Sequence, residues 1–157
     1  MNDHMWKKCG EVKAFAEVNK AFLKRGKPAL KNTVFTADEI EELVAANRTH
    51  RDQLDTIAET AEKTDLVNNK ADKTATKLEA LQDTYLEDDD DWEDAVELLE
   101  WSGFFHGGAL VHWNLVAGAA KASGNEKLAK LASGGYKFHH EVLHAVKDGL
   151  EELGHDE

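Results

Sequence analysis

Apolar and polar residues alternate along this chain with a helical period almost throughout. Val12, Phe15, Val18 and Phe22 recur at three- and four-residue intervals within residues 11–25, which predicts a first helix, α1. The stretch "RGKP" is expected to end it, because Pro28 disfavours helix in the residue before it. Thr36 to Glu39, "TADE", reads as a capping box that opens α2. This helix is predicted to reach about residue 63 with Ile40, Leu43, Asn47, Leu54, Ala58 and Ala61 facing inward. After the turn "TDLVNN", α3 runs to about residue 86, with Val67, Ala71, Thr74, Leu78, Leu81 and Tyr85 as its inward positions. The acidic run Glu87–Asp91 supplies a cap for α4. That helix continues to about residue 122 and carries Trp92, Val96, Leu99, Gly103, His106, Leu110 and Trp113 on one stripe. "SGN" at residues 123–125 is a turn, and α5 extends to about residue 153.

No segment alternates with the period of a strand, so the expected fold is all-α. The pattern predicts an up-down four-helix bundle with an additional N-terminal helix; residues 1–35, that helix and its connecting loop, pack on the bundle within a single domain, 1–157. A link of about five residues between α3 and α4 cannot span a bundle, since an extended chain reaches only about 3.4 Å per residue. Helix α4 is therefore expected to start at the end where α3 stops.

Charge narrows the classes of partner. A formal net charge of −12 repels nucleic acid and anionic membrane surfaces. The single cysteine, Cys9, excludes a disulfide framework and suits a reducing compartment. With no apolar run at the N-terminus, a cytoplasmic protein is expected. The uncharged segment Trp101–Ala120 approaches the length of a membrane span, but its two histidines, asparagine, serine and four glycines argue for a helix buried among helices.

The chemistry concentrates in histidines. "FHHEVLH" contains His140-Glu141-Val142-Leu143-His144, the H-E-x-x-H spacing of zinc-protease helices. At about 100° per residue, however, Glu141 falls on the charged face of α5 with Lys130, Lys137, Asp148 and Glu152. His140 and His144 lie on the flank, and Lys147 stands where the extended pattern needs glycine. The motif is read as coincidental. His139 falls in the middle of the apolar stripe of Leu128, Leu131, Ala132, Val142, Leu143, Val146, Leu150 and Leu153. Counted from the α4–α5 turn, His106 lies at nearly the same height, within about 3 Å. His50, at the edge of the α2 stripe, lies within about one turn of the same level.

Three imidazoles converging in a bundle core would form a metal site, with His50, His106 and His139 as ligands and Asn47 beside them as a hydrogen-bonding partner. Iron and zinc are the foremost candidates, with copper and nickel also accepting nitrogen ligands. Haem held between His106 and His139 is a further candidate cofactor, because Gly103, Gly107, Gly108, Gly134 and Gly135 flank these residues. Those glycines imply either close helix packing or room for a bulky group. The alternative is three separate core histidines, each hydrogen-bonded locally. A second apolar stripe on the back of α4, Trp101, Phe104, Val111 and Leu115, predicts self-association, unless α1 covers it.

The α4–α5 hairpin, from "GFFHGGALVHW" through "ASGNEKLAKLA" to "HHEVLH" with its Glu141-x-x-His144, resembles the second hairpin of ferritin-like proteins. In style the chain is also similar to histidine-rich four-helix-bundle metal-binding proteins of the hemerythrin-like and DinB-like kind. The resemblance implies a helical bundle that binds metal. It departs from the ferritin-like pattern because α3 carries no Glu-x-x-His, the α3–α4 link is too short for the crossover, and Glu141 is on the outward face. Oxidase or iron-storage activity is therefore not carried over. A protein-interaction module, with histidines that merely pack, is the competing reading.

Overall fold

A computed structural model describes residues 1–156. It contains five α-helices and one short 3₁₀ turn: α1 Asp3–Leu30, α2 Ala37–Thr60, α3 Thr64–Tyr85, the 3₁₀ turn Asp89–Glu93, α4 Ala95–Ala122 and α5 Glu126–His155. No named strand occurs among the described residues. No helix among them is long and apolar enough to cross a membrane.

Local chemistry explains most boundaries. Thr36 and Glu39 form the expected capping box, each side chain bonding the other's backbone N–H, at 3.1 and 2.9 Å. Asn125 caps α5 by accepting from the Leu128 N–H, and Gly124 takes the left-handed conformation, φ +70°, that the turn demands. Other boundaries differ from expectation. The stretch Thr64–Asn69, expected as a turn, is the start of α3, and the turn is the shorter link of residues 61–63. Pro28 lies inside the last turn of α1 rather than beyond its end, because Leu30 is drawn into the core at 1 % exposure and carries the helix past the proline. The acidic run does not cap α4. Asp88 and Asp91 bond reciprocally across the 3₁₀ turn, and Asp94 caps α4 by accepting from the Val96 N–H at 2.8 Å.

Helix α1 packs against α2, α3 and α4, while α4 and α5 form a long antiparallel pair and α2 reaches α5. Lys13–Asp55 and Lys27–Glu41 ion pairs set α1 antiparallel to α2. Buried residues occur around much of α1, among them Cys9, Gly10, Val12, Ala14, Phe15, Ala16, Val18, Asn19 and Leu23. At Gly10 the α3 backbone comes so close that a Cβ would stand 2.5 Å from the Val67 carbonyl oxygen. Helix α3 buries only Val67 and Ala71. Of its other expected inward positions, Leu78 and Tyr85 are half-buried, and Leu81 is 59 % exposed because α3 is covered on one side only.

The apolar interior forms two clusters. One centres on Phe15, Phe22, Leu30, Ile40, Leu98, Leu99 and Phe105. The other centres on Trp6, Leu54, Val67, Trp113, Leu128 and Ala132.

Candidate functional site

The buried polar residues of this core include an imidazole pair. His106 of α4 is 2 % exposed and His139 of α5 is 0 % exposed. Their Nδ1 atoms lie 2.8 Å apart, and their ring centroids 5.1 Å apart. One Nδ1–H donates to the other ring's Nδ1 lone pair, so both rings cannot be protonated on these atoms at once. Burial holds the pair neutral. It pushes His106 down to about 3 and His139 well below the ordinary histidine value, the latter helped by the neighbouring His106 and His50.

His50 of α2 stands beside the pair, its ring centroid 6.5 Å from that of His139. It meets Trp113 and Phe138 edge to face, at 5.5 and 5.2 Å. Burial lowers its pKa as well. The helix-turn counting therefore locates three imidazoles that are neighbours in space, two of them in direct contact.

Unpaired atoms are the site's chemical signature. His139 Nε2 and His50 Nδ1 are both buried without a hydrogen-bond partner among the described residues. For His139 this holds in either tautomer: if Nδ1 donates, Nε2 is an unused lone pair, and if Nδ1 accepts, Nε2–H has no acceptor. Each such atom costs about 1–3 kcal/mol relative to a satisfied one. The Trp113 indole N–H is also unpaired.

Asn47 does not play the part expected of it. It is fully buried one turn before His50, but its amide donates to the Leu43 carbonyl at 2.9 Å, and its Oδ1 is unpaired. No hydrogen bond joins it to His50; its amide N–H is given to the α2 backbone instead. Sequence reasoning missed Asn19, which is 1 % exposed with both side-chain polar atoms unpaired. Its position between Phe15 and Phe22 at helical spacing was the available signal. Glu11 was also missed; it is buried with Lys8 at 3.1 Å, Lys70 at 3.6 Å and His112 at 3.8 Å.

The glycines divide by role. A Cβ on Gly135 would stand 2.5 Å from Cδ2 of the Trp113 indole, whereas at Gly103, Gly107 and Gly134 it would meet nothing within 4 Å. The bulky group admitted by Gly135 is thus the chain's own Trp113. With the two Nδ1 atoms in contact, no porphyrin fits between His106 and His139 in this arrangement.

The H-E-x-x-H side chains are all exposed. His140 stacks on Tyr136, His144 pairs with Asp148 at 3.3 Å, and Glu141 lies 3.9 Å from Lys137. Of the carboxylates considered for completing a site, Glu100 accepts from the Tyr85 hydroxyl at the surface and Asp83 is exposed. Among the described residues no cluster of three or more His, Cys, Asp or Glu side chains is arranged to hold an ion. Burial pushes the Cys9 thiol up to about 12, so it is inert as a nucleophile.

The back of α4 is partly covered. Trp101 is buried against Tyr85 and Phe105, while Phe104, Val111 and Leu115 remain exposed at 76, 60 and 46 %. No family model, no curated protein and no solved structure matches this chain.

Proposed function

We propose that the imidazole cluster is a binding centre for a first-row transition ion, with iron and zinc as foremost candidates, inside an up-down bundle that carries α1 as an additional helix. The observation that supports this reading is the pair of buried, unpartnered nitrogens, His50 Nδ1 and His139 Nε2, on adjacent rings. A metal ligand must offer a lone pair, and burial keeps these imidazoles deprotonated at neutral pH.

The direct bond between the pair refines the roles. Tetrahedral ligands about 2.0–2.1 Å from zinc stand about 3.4 Å apart, whereas the two Nδ1 atoms at 2.8 Å share a proton. In the tautomer where His139 Nδ1–H donates to His106, the His139 Nε2 lone pair is free, and His106 becomes the acceptor that orients its neighbour. This is the arrangement that supports metal-binding histidines generally. His50 and His139 then hold the ion, and His106 positions His139. An ion bound there would supply Lewis acidity or redox capacity with coordination positions left open. With no carboxylate grouped with these histidines among the described residues, binding is expected to be weaker than in a four-ligand structural site.

Zinc titration of the metal-free protein followed by elemental analysis tests this. One retained equivalent, lost in His139→Leu and in His50→Leu, is the expected result. No retained zinc, iron or copper would overturn the reading.

A second reading rests on a separate observation, the exposed Phe104, Val111 and Leu115. They share one uncharged apolar face, and covering it favours self-association through the back of α4. Light scattering of the wild type against Phe104→Glu/Val111→Glu distinguishes a dimer from a monomer.

A further inference from the structure

A groove of about 640 Å³ lies where α2 and α5 part. Its volume is within the range that holds small molecules, roughly 300–1,000 Å³. Ile57, Leu131 and Gly134 give it an apolar floor, and the floor is open because a Cβ on Gly134 would meet no atom within 4 Å. Near the α4–α5 turn the groove continues into a smaller recess of about 140 Å³ between Ile57, Ala61 and Asn125. His50 lines the opposite end.

Lys127 and Lys130 line the α5 side, both exposed. Neither makes an ion pair or side-chain hydrogen bond among the described residues, whereas Asp52 on the α2 side is already engaged by Arg51 at 2.8 Å. The local balance is thus two free ammonium groups over an apolar floor, on a chain whose overall charge is −12. The net negative charge opposes anions at long range, so the two lysines act at short range, on a molecule that also buries apolar area on the floor.

We propose that this groove binds a small amphipathic anion. Its acyl or aromatic body lies on Ile57 and Leu131, and its carboxylate or phosphate head meets Lys127 and Lys130. Nothing in this proposal requires a metal at the imidazole cluster.

The test uses the 157-residue chain, metal-free, with octanoate, octyl phosphate and octylammonium as probes, followed by calorimetry and by backbone amide shifts. Both anions are expected to bind saturably at one equivalent, with the largest shifts at Thr56, Ile57, Leu131 and Gly134. Octylammonium should bind at least tenfold more weakly. Lys127→Gln/Lys130→Gln should weaken the anions at least tenfold. Gly134→Leu, which fills space without touching the core, should abolish binding while the helical circular dichroism is retained. Tighter binding of octanoate supports a carboxylate ligand, and tighter binding of octyl phosphate a phosphate monoester. Equal binding of the ammonium probe, unchanged affinity in the double lysine variant, or no saturable binding of either anion would overturn the proposal.

Discussion

Acidification from pH 7 to pH 5 should weaken the fold through the buried imidazole pair. In the unfolded chain a histidine takes up a proton near pH 6.5, while burial in the fold holds His106 at about 3. Between those values the unfolded state binds more protons, so stability is fully present above pH 6.5 and is lost progressively as pH falls towards 3. Integrated from pH 7 to pH 5, His106 alone accounts for about 2 kcal/mol. His139 is shifted in the same direction and adds to the loss. Urea unfolding followed by far-ultraviolet circular dichroism measures it: with a slope of about 1–3 kcal/mol per molar, the midpoint should fall by roughly 1 M or more. The comparison protein is His106→Leu/His139→Leu. It shares every other titrating group, and it loses both partners of the hydrogen bond together, so little change at pH 7 is expected. Its midpoint should be markedly less sensitive to acid. An identical acid response in the two proteins would refute a buried neutral pair.

The two adjacent glycines of α5 should respond with opposite signs: Gly134→Ala gains up to about 1 kcal/mol of helix propensity, whereas Gly135→Ala drives a methyl into the fully buried Trp113 and should cost about 1–3 kcal/mol, both read as urea midpoints. Replacing Glu141 by Gln, or His140 and His144 by Ala, should change stability by no more than about 0.5 kcal/mol, as for exposed positions generally, and should leave zinc retention intact. Substituting Asn19 by Leu removes two unpaired polar atoms from the core and should be neutral or stabilising in thermal unfolding, whereas a loss above about 2 kcal/mol would indicate that its amide is satisfied in solution.

The imidazole neighbourhood was legible because turns and helical period are local properties. Ser123–Asn125 marks the hairpin, and counting back and forward from it brings His106 opposite His139. His50 required the further assumption that the α2–α3 and α4–α5 turns lie at the same end of the bundle, and the His50–Phe138 contact agrees with it. What could not be read was which nitrogens stay unpaired. That depends on side-chain rotation, as Asn47 illustrates by turning to the Leu43 carbonyl. The position of α1 was hidden for another reason: Gly10, Ala14 and Ala16 carry almost no hydrophobic signal, yet small residues are what let three helices approach it. Conversely, Leu81 matched the apolar period of α3 and is exposed, since periodicity names a face without saying whether another helix covers it.

The central claim is that His50 Nδ1 and His139 Nε2 are free to hold an ion. Nitrogen-detected imidazole spectra of the protein during zinc titration address those two atoms directly. The account predicts that both resonances move together and saturate at one equivalent, while His140 and His144 stay in place. Saturable zinc binding that moves only His140 and His144, or no shift at His50 and His139, would contradict it.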